Sequence, residues 1–302
     1  MRILLCGASG FVGQRLSLAL RNAGHEVIPA TSRRGDGGQP VTGPTVDFNR
    51  DTDPTVWMPR VRGVDLVINA VGVLRDTPSR RIQAIHEDTP KALFTACAEA
   101  GVPKVLQVSA LGVVGSPTAY ARTKQAADVH LLNLSAQGRL QAAIIRPSVV
   151  FGHGGASSQL FMGLAMSPLL CLPQPVIRAK VQPVSVLDLA DAVARLVPLD
   201  WRSTLPEGVL HAVGPQPLSM AELITSLRQQ QGRTHTWTVP LPGPLTTLSA
   251  RIGDLIPWMP WCSETMAMLA TDNVADAAPF TRLLGREPTH YSQLVATAWQ
   301  HH

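Results

Sequence analysis

The sequence predicts an α/β fold in which a doubly wound parallel sheet is followed by a smaller, irregular and mostly helical domain. In the first half, short apolar runs alternate with longer segments whose apolar residues recur at helical spacing. After Pro147, prolines and glycines become dense and this alternation is lost. We therefore expect a first domain over residues 1–152, with residues 181–200 packing back onto it, and a second domain over residues 153–302.

Each element is predicted from its local pattern. Residues 2–6 form an apolar run that ends at a glycine, which is typical of a buried strand. Residues 11–23 carry apolar side chains at helical spacing and end before Gly24, which indicates a helix with a glycine at its C-terminal end. The other predicted strands are residues 26–31, 46–48, 65–69, 104–109 and 140–146, and the other predicted helices are residues 80–100 and 117–134. In the second domain a regular pattern returns at residues 187–197, and residues 218–229 predict a helix with Ser219 near its start.

The first strand runs into the segment CGASGFVGQRL, in which Gly7, Gly10 and Gly13 are spaced three apart. In a βαβ unit, such glycines let the chain turn sharply, let the backbone approach a pyrophosphate and let the helix pack on the strand. The free N–H groups at the start of the helix then favour phosphate. The spacing is GxxGxxG rather than GxGxxG, and a purely structural turn is the alternative. We expect a dinucleotide site, and hence a Rossmann-type sheet.

The end of the second strand predicts which dinucleotide is preferred. NAD sites usually carry an acidic residue there, which holds the ribose 2′-hydroxyl. This chain instead has Ser32, Arg33 and Arg34, whose hydroxyl and guanidinium groups suit a 2′-phosphate. A solvated loop is the alternative interpretation of the two arginines. We expect NADP(H) to be preferred over NAD(H).

Tyr120 and Lys124 lie four residues apart in the segment YARTK, shortly after the fifth strand. On a helix such residues share a face, so the hydroxyl and the ammonium can point at one substrate. A nearby cation favours the phenolate and lowers the pKa of a tyrosine from about 10, which makes Tyr120 a candidate general acid or base. Ser109, at the carboxyl end of that strand, is a candidate hydrogen-bond donor to a substrate carbonyl. An exposed helix face is the alternative for Tyr120 and Lys124.

Composition narrows the function classes. The net charge of +5 and the pI near 9.4 would suit a polyanion, but the basic residues are spread along the chain, so we expect a phosphorylated small molecule rather than nucleic acid. The four cysteines form no CxxC pair and the histidines no HExxH motif, which argues against a disulfide framework and against a metal site. That cysteine usage indicates a cytoplasmic protein, and no apolar run is long enough to span a membrane.

Taken together, these motifs resemble the short-chain dehydrogenase/reductase superfamily, in particular its extended and atypical branches of epimerase/dehydratase-like proteins. The segments that carry the resemblance are GASGFVG (7–13), NAVG (69–72), Ser109, YARTK (120–124), RPSVVFG (146–152) and VQPVSVLDLA (181–190). A narrower similarity, to the family of NADPH-binding accessory subunits of respiratory complex I, rests on HAVGP (211–215), TDNV (271–274) and LGREPT (284–289).

The resemblance implies roles for individual residues. Tyr120 would be the acid/base and Lys124 would hold the ribose hydroxyls of the cofactor. It assigns Gly7, Ser9, Gly10, Phe11, Val12 and Gly13 to the pyrophosphate turn, Arg33 to the 2′-phosphate, Asp47 and Phe48 to the adenine, Ala70, Val71 and Gly72 to the nicotinamide ribose, and Pro147, Ser148 and Val149 to the nicotinamide. Ser109 precedes Tyr120 by eleven positions, a shorter spacing than in the epimerases, and Cys6 and His153 replace the usual Thr and Pro.

Two functions follow from these patterns. The first is an NADP(H)-dependent oxidoreductase or epimerase that acts on a small carbonyl or hydroxyl compound, with residues 153–302 as the expected substrate-side domain. The second is a non-catalytic protein that binds NADPH as a structural or sensing element of a larger assembly. The Pro- and Trp-rich residues 255–261 are a candidate surface for a protein partner or a membrane, with core packing as the alternative. His301 and His302 are either native or the remnant of a tag.

Overall fold

The computed structural model describes residues 1–32, 43–77, 79–234, 236–242 and 263–299. Three sequence-based predictions lie outside these ranges: the phosphate-binding role of Arg33 and Arg34, the Pro- and Trp-rich surface at residues 255–261, and the origin of His301 and His302. The other candidate site residues all lie within the described part of the chain.

The described elements are numbered here in chain order. The strands are β1 Arg2–Cys6, β2 Glu26–Ser32, β3 Thr45–Val46, β4 Leu66–Asn69, β5 Lys104–Val108, β6 Gln141–Pro147, β7 Val150–Phe151, β8 Leu169–Pro173, β9 Lys180–Val181, β10 Val184–Ser185, β11 Val209–Ala212, β12 Leu218–Ser219 and β13 Trp237–Leu241. The helices are α1 Phe11–Asn22, α2 Pro54–Val61, α3 Thr89–Glu99, α4 Ala119–Ala136, α5 Ala156–Met166, α6 Gln174–Arg178, α7 Val186–Leu196, α8 Trp201–Thr204, α9 Met220–Gln230, α10 Ser263–Leu269, α11 Ala278–Leu284 and α12 Leu294–Trp299. A π-helical turn, Ala84–Asp88, precedes α3, and a 3₁₀ turn, Tyr291–Gln293, precedes α12.

The central sheet has seven strands in the order β11-β6-β5-β4-β1-β2-β3. Strand β1 lies between β2 and β4, with Ile3 beside Val27 of β2 on one side and beside Leu66 of β4 on the other, both in parallel register. The chain order reverses between β1 and β4, which is the topological switch point where doubly wound sheets bind ligands. The predicted fold class, a Rossmann-type parallel sheet followed by an irregular, mostly helical part, is confirmed.

Three local differences from the predicted elements have simple causes. Helix α2 was not predicted, because it is short and carries Pro59; the Asp53 side chain caps it by accepting from the N–H of Thr55. The single helix expected at residues 80–100 is a π-helical turn followed by α3, a change of winding that apolar spacing does not reveal. Strand β3 is shorter than expected, since the chain turns after Val46.

The chain divides into two compact units. The first comprises Met1–Arg146 and Ala190–Leu210, and the second comprises Pro147–Leu189 with the described residues from His211 onward. Each unit has its own hydrophobic core. Side chains of α2, α3 and α4 contribute to the core of the first unit, and side chains of α5 and α9 form much of the core of the second. In the second unit, Ser219 and Glu222 form a capping box at the start of α9. The sequence had placed Ser219 near the start of this helix. None of the described helices combines the length and apolar character needed to cross a bilayer.

Candidate functional site

The turn after β1 is built so tightly that Gly7 and Gly13 cannot carry side chains. Gly7 has φ +84°, and a Cβ on it would lie 2.9 Å from the carbonyl carbon and oxygen of Ala70, the residue that follows β4. A Cβ on Gly13 would lie 1.9 Å from the Gly7 carbonyl oxygen, because α1 packs directly against the turn. The N–H of Gly10 donates to that same oxygen at 2.9 Å. Gly7 and Gly13 therefore allow strand, turn and helix to approach more closely than any other residue would permit, while a Cβ on Gly10 would lie 3.2 Å from the Gly7 carbonyl oxygen.

The start of α1 is suited to bind an anion. Gly10 is the N-cap residue, so no side chain caps the helix, and the first turn carries no acidic residue. The free N–H groups and the positive end of the helix dipole are therefore left for another acceptor. Ser9 and Gly10 are exposed beside them, while Phe11 and Val12 are half-buried. This arrangement fits a pyrophosphate, as the predicted roles of these residues require.

The loop that follows β4 is held by side chains from two neighbouring elements. Asn69, at the end of β4, accepts the N–H of Val71 at 3.1 Å, and its amide nitrogen donates to Gln107 of β5 at 2.8 Å. His86 of the π-helical turn accepts the N–H of Val73 through Nε2 at 3.0 Å. The backbone of residues 71–73, which includes two of the three residues assigned to the nicotinamide ribose, is thus fixed at both ends.

Tyr120 and Lys124 lie one turn apart on α4, as predicted, and both are buried, with 9% and 3% of their surface exposed. The Thr118 side chain caps this helix by accepting the N–H of Ala121. The ammonium of Lys124 donates to the Val108 carbonyl oxygen at 3.0 Å, and it lies 3.4 Å from the position that a Cβ on Gly72 would take. Helix α4 therefore brings its tyrosine and lysine towards the loop after β4.

Burial shifts the charge states in this part of the molecule. It lowers the pKa of Lys124 to about 8, although the nearby carboxylate of Asp128 opposes the shift. It also lowers the pKa of His86 to about 2, with help from the positive charge of Lys124, so His86 is neutral at physiological pH. The Lys124 ammonium, in contrast, loses its proton within the range in which enzymes commonly work.

Ser109 belongs to a buried ionic cluster. Its hydroxyl donates to Oδ2 of Asp128 at 2.8 Å, and the same oxygen accepts from Nε and Nη2 of Arg146 at 3.1 and 3.0 Å. The Asp128 side chain is fully buried, and burial raises its pKa even though Arg146 and the Ser109 hydroxyl favour the charged form. In this arrangement the Ser109 proton is engaged with Asp128, so the predicted donation to a substrate carbonyl would require the hydroxyl to turn away.

The remaining candidates make contacts of their own. Phe48 packs edge-on against Trp57, and the Asp47 carboxylate accepts the N–H of Asn49 at 3.0 Å. In the second unit, the Ser148 hydroxyl donates to the Asn273 carbonyl oxygen at 3.1 Å. Ser32 ends β2 and is exposed, and the last described residues of this strand include no acidic side chain. Their assigned contacts with adenine, nicotinamide and 2′-phosphate stay predictions.

Two residues of this region were not singled out from the sequence. Asp128 lies four residues after Lys124, so helical spacing could have placed it on the same face. His86 carried no such signal, because a lone histidine in a predicted helix shows no ligand or catalytic spacing and the π-helical turn was not foreseen. Within the described residues, no group of three or more His, Cys, Asp or Glu side chains is placed to hold a metal ion.

Comparison with known proteins confirms the resemblance seen in the motifs. The chain is similar to subunit 9 of the NADH dehydrogenase [ubiquinone] 1 alpha subcomplex, mitochondrial, of Rattus norvegicus, at 25% identity over 94% of this chain and 75% of the relative. Its fold is similar to those of MoeE5 in complex with UDP-glucuronic acid and NAD (TM-score 0.68, 19% identity, 98% and 97% of the two chains) and of UDP-N-acetylglucosamine 4-epimerase from Bacillus cereus (TM-score 0.69, 15% identity, 99% and 95%). Residues 3–197, more than half of the chain, match one family over their whole length. The chain therefore belongs to the NAD dependent epimerase/dehydratase family.

Proposed function

We propose that this protein binds NADP(H) and catalyses hydride transfer on a small carbonyl or hydroxyl compound, as an oxidoreductase or an epimerase. The cofactor would accept or donate the hydride. Tyr120 would exchange the accompanying proton with the substrate oxygen, and Lys124 would hold ribose hydroxyls while favouring the phenolate form of Tyr120. The glycine turn supports the binding of a dinucleotide, because without side chains its backbone can approach a pyrophosphate closely.

The observation that carries this proposal is the buried ammonium of Lys124. Among the described residues it makes one hydrogen bond, to the Val108 carbonyl oxygen, although an ammonium has three donors. Leaving donors of a charged group without acceptors in a buried position is unfavourable, so such a group is usually completed by a ligand or by water. Ribose hydroxyls beside the loop at residues 71–73 would complete it.

Replacing Tyr120 with Phe tests the acid/base role. The ring stays, so we expect NADPH affinity within about twofold of the native value, while turnover falls by roughly 10²–10⁴-fold because proton transfer is lost. The measurement is the oxidation of NADPH by a panel of carbonyl compounds that includes nucleotide sugars, together with the dissociation constant from NADPH fluorescence. Tyr291→Phe removes the other tyrosine of the chain and is the matched control. Equal turnover in native protein and Tyr120→Phe would refute the role.

The preference for NADP(H) rests on the residues at and after the end of β2. Ser32, Arg33 and Arg34 offer a hydroxyl and two guanidinium groups, and the strand ends without a carboxylate. The family description and several similar structures name NAD, so this preference is a proposal about this chain alone. We expect Arg33→Ala to weaken NADPH binding about tenfold or more and to leave NADH binding nearly unchanged. Equal losses for the two cofactors, measured by fluorescence titration, would refute the assignment.

A second function, tight NADPH binding without turnover, is favoured by two observations. The relative from rat is named as a subunit of a larger enzyme, and the Ser109 hydroxyl is engaged with Asp128 instead of facing a substrate. Association with a protein complex or a membrane surface would belong to this function. If the native protein binds NADPH tightly but no compound of the panel oxidises it, this second function replaces the first. The free cysteines Cys6, Cys97 and Cys171 support placement in a reducing compartment such as the cytoplasm.

A further inference from the structure

His86 occupies a position that the proposed chemistry has not yet used. It lies in the π-helical turn before α3 and has 1% of its surface exposed. Its ring meets the ring of Tyr120 edge-on, with the centroids 5.1 Å apart and the planes at 89°. Single π-helical turns are rare and occur often at functional sites. Here the turn brings an imidazole into contact with the candidate acid/base.

The hydrogen bond with Val73 defines the state of this imidazole. Nε2 accepts the Val73 N–H, so in the neutral ring the proton resides on Nδ1. Nδ1 is buried and has no hydrogen-bond partner among the described residues. A buried donor without a partner costs free energy, and it is retained where the remainder of the side chain serves a purpose. The purpose that the contacts indicate is the attachment of the loop at residues 71–73 and of the Tyr120 ring to one rigid group.

Burial first, and then the neighbouring charge of Lys124, keep His86 in this state. Lys124 approaches from α4, and a second cation beside it would be unfavourable. Acidic neighbours on its own turn have other partners: Glu87 pairs with Lys91 at 2.6 Å, and Asp88 accepts from Gln83 at 3.0 Å. A protonated His86 would also lose its capacity to accept the Val73 N–H. The imidazole is therefore a fixed neutral acceptor across the physiological pH range.

We propose that His86 is a positioning residue that aligns Tyr120 with the cofactor-binding loop at residues 71–73. The proposal rests on the function proposed above and adds a residue to its site. His86 acts through two separable contacts: the acceptor Nε2 holds the backbone of the loop, and the ring holds the phenol of Tyr120. Each of two substitutions removes one of these contacts and keeps the other.

Cofactor affinity and turnover of two His86 variants distinguish the two contacts. His86→Phe keeps an aromatic ring against Tyr120 but leaves the Val73 N–H without an acceptor, so we expect NADPH to bind about tenfold more weakly. His86→Gln places an amide oxygen where Nε2 was, so we expect NADPH affinity within about threefold of native. With a substrate from the panel, His86→Gln should lower kcat about tenfold with little change in KM, because the phenol is no longer held by a ring.

A spectroscopic measurement tests the same proposal without requiring turnover or cofactor. The chain has two tyrosines, so Tyr291→Phe leaves Tyr120 as the single titrating phenol, and absorbance reports its ionisation directly. In that background we expect His86→Gln to shift the Tyr120 titration, whereas His86→Phe should leave it close to its original position. Lys124→Met is the control for sensitivity: it removes a cation that favours the phenolate at pH values below about 8, where Lys124 is protonated, so the ionised fraction of Tyr120 should fall there.

The outcomes separate the two proposals. If both His86 variants fold, bind NADPH with native affinity and titrate Tyr120 as before, His86 has no positioning role. If the native protein lacks turnover while the variants show the expected split between affinity and titration, the catalytic function fails and the positioning role stands. Thermal unfolding monitors the fold of each variant, and should His86→Phe not fold, His86→Gln with the tyrosine titration still decides.

Discussion

Gly13→Ala is expected to destabilise the protein by about 3 kcal/mol and to abolish tight NADPH binding. Alanine is the better helix former by about 1 kcal/mol, so propensity alone would favour the change. The new Cβ, however, would lie 1.9 Å from the Gly7 carbonyl oxygen and 2.7 Å from its carbon, and both are backbone atoms that cannot rotate away. Helix α1 would have to move off the turn, and the N–H groups at its start would move with it.

The matched control is Gly163→Ala, which also lies within a helix. Gly163 is in the middle of α5, and nothing lies within 4 Å of the position its Cβ would take. We expect this change to stabilise the protein by about 0.5–1 kcal/mol, because the only effect left is helix propensity. Denaturant unfolding and NADPH titration of both variants check the prediction. Native stability of Gly13→Ala would show that α1 does not pack against the turn as closely as described.

Asp128→Asn should cost about 3 kcal/mol of unfolding free energy, because it leaves the guanidinium of Arg146 without its carboxylate in a mostly buried place. The Asp128 side chain is fully buried and that of Arg146 is 13% exposed, so water cannot replace the lost partner well. Burial nevertheless raises the pKa of Asp128, because the charged carboxylate loses its solvation there. Removing one partner of the ion pair is therefore strongly destabilising. Replacing both partners with apolar side chains need not lower the unfolding free energy by the same amount.

A double-mutant cycle separates the cost of losing one partner from the effect of replacing both. The variant that combines Asp128→Leu with Arg146→Met should lose less stability than the sum of the single changes, with a coupling of about 1–3 kcal/mol. Glu26→Gln is the exposed control: Glu26 pairs with Arg2 at the surface, where both side chains are more than half exposed, and the change should be within about 0.5 kcal/mol. Additive single changes would contradict a coupled pair.

Asp128→Asn should also alter cofactor binding through Lys124. The Asp128 carboxylate holds the pKa of Lys124 up against the effect of burial, so its removal lowers that pKa further below about 8. The ammonium then loses its proton at a lower pH, and we expect the affinity for NADPH to decline at a lower pH than in the native protein. NADPH titrations over a pH series measure this shift, and unchanged pH dependence would separate Lys124 from cofactor binding.

Much of the architecture could be predicted because it is written in local patterns. Apolar runs of five residues placed β1 and β5, and the glycine after β1 marked the turn at which the dinucleotide site would form. The spacing between Tyr120 and Lys124 placed both on one face of α4 before any tertiary contact was known. Helix α2 escaped prediction because tertiary packing, with Trp57 fully buried, outweighs the presence of a proline inside it.

The sequence by itself determined the strand–turn–helix order, the glycines that permit close approach, and the pairing of a tyrosine with a lysine, since each depends on residues a few positions apart. Only the tertiary structure decided what surrounds that pair. His86 reaches Tyr120 across more than thirty positions, and Asp128 joins Ser109 to Arg146 across two strands and a helix. Such contacts depend on the order of strands in the sheet and on the winding of a single π-helical turn, and the free energy that selects them comes from packing the whole domain.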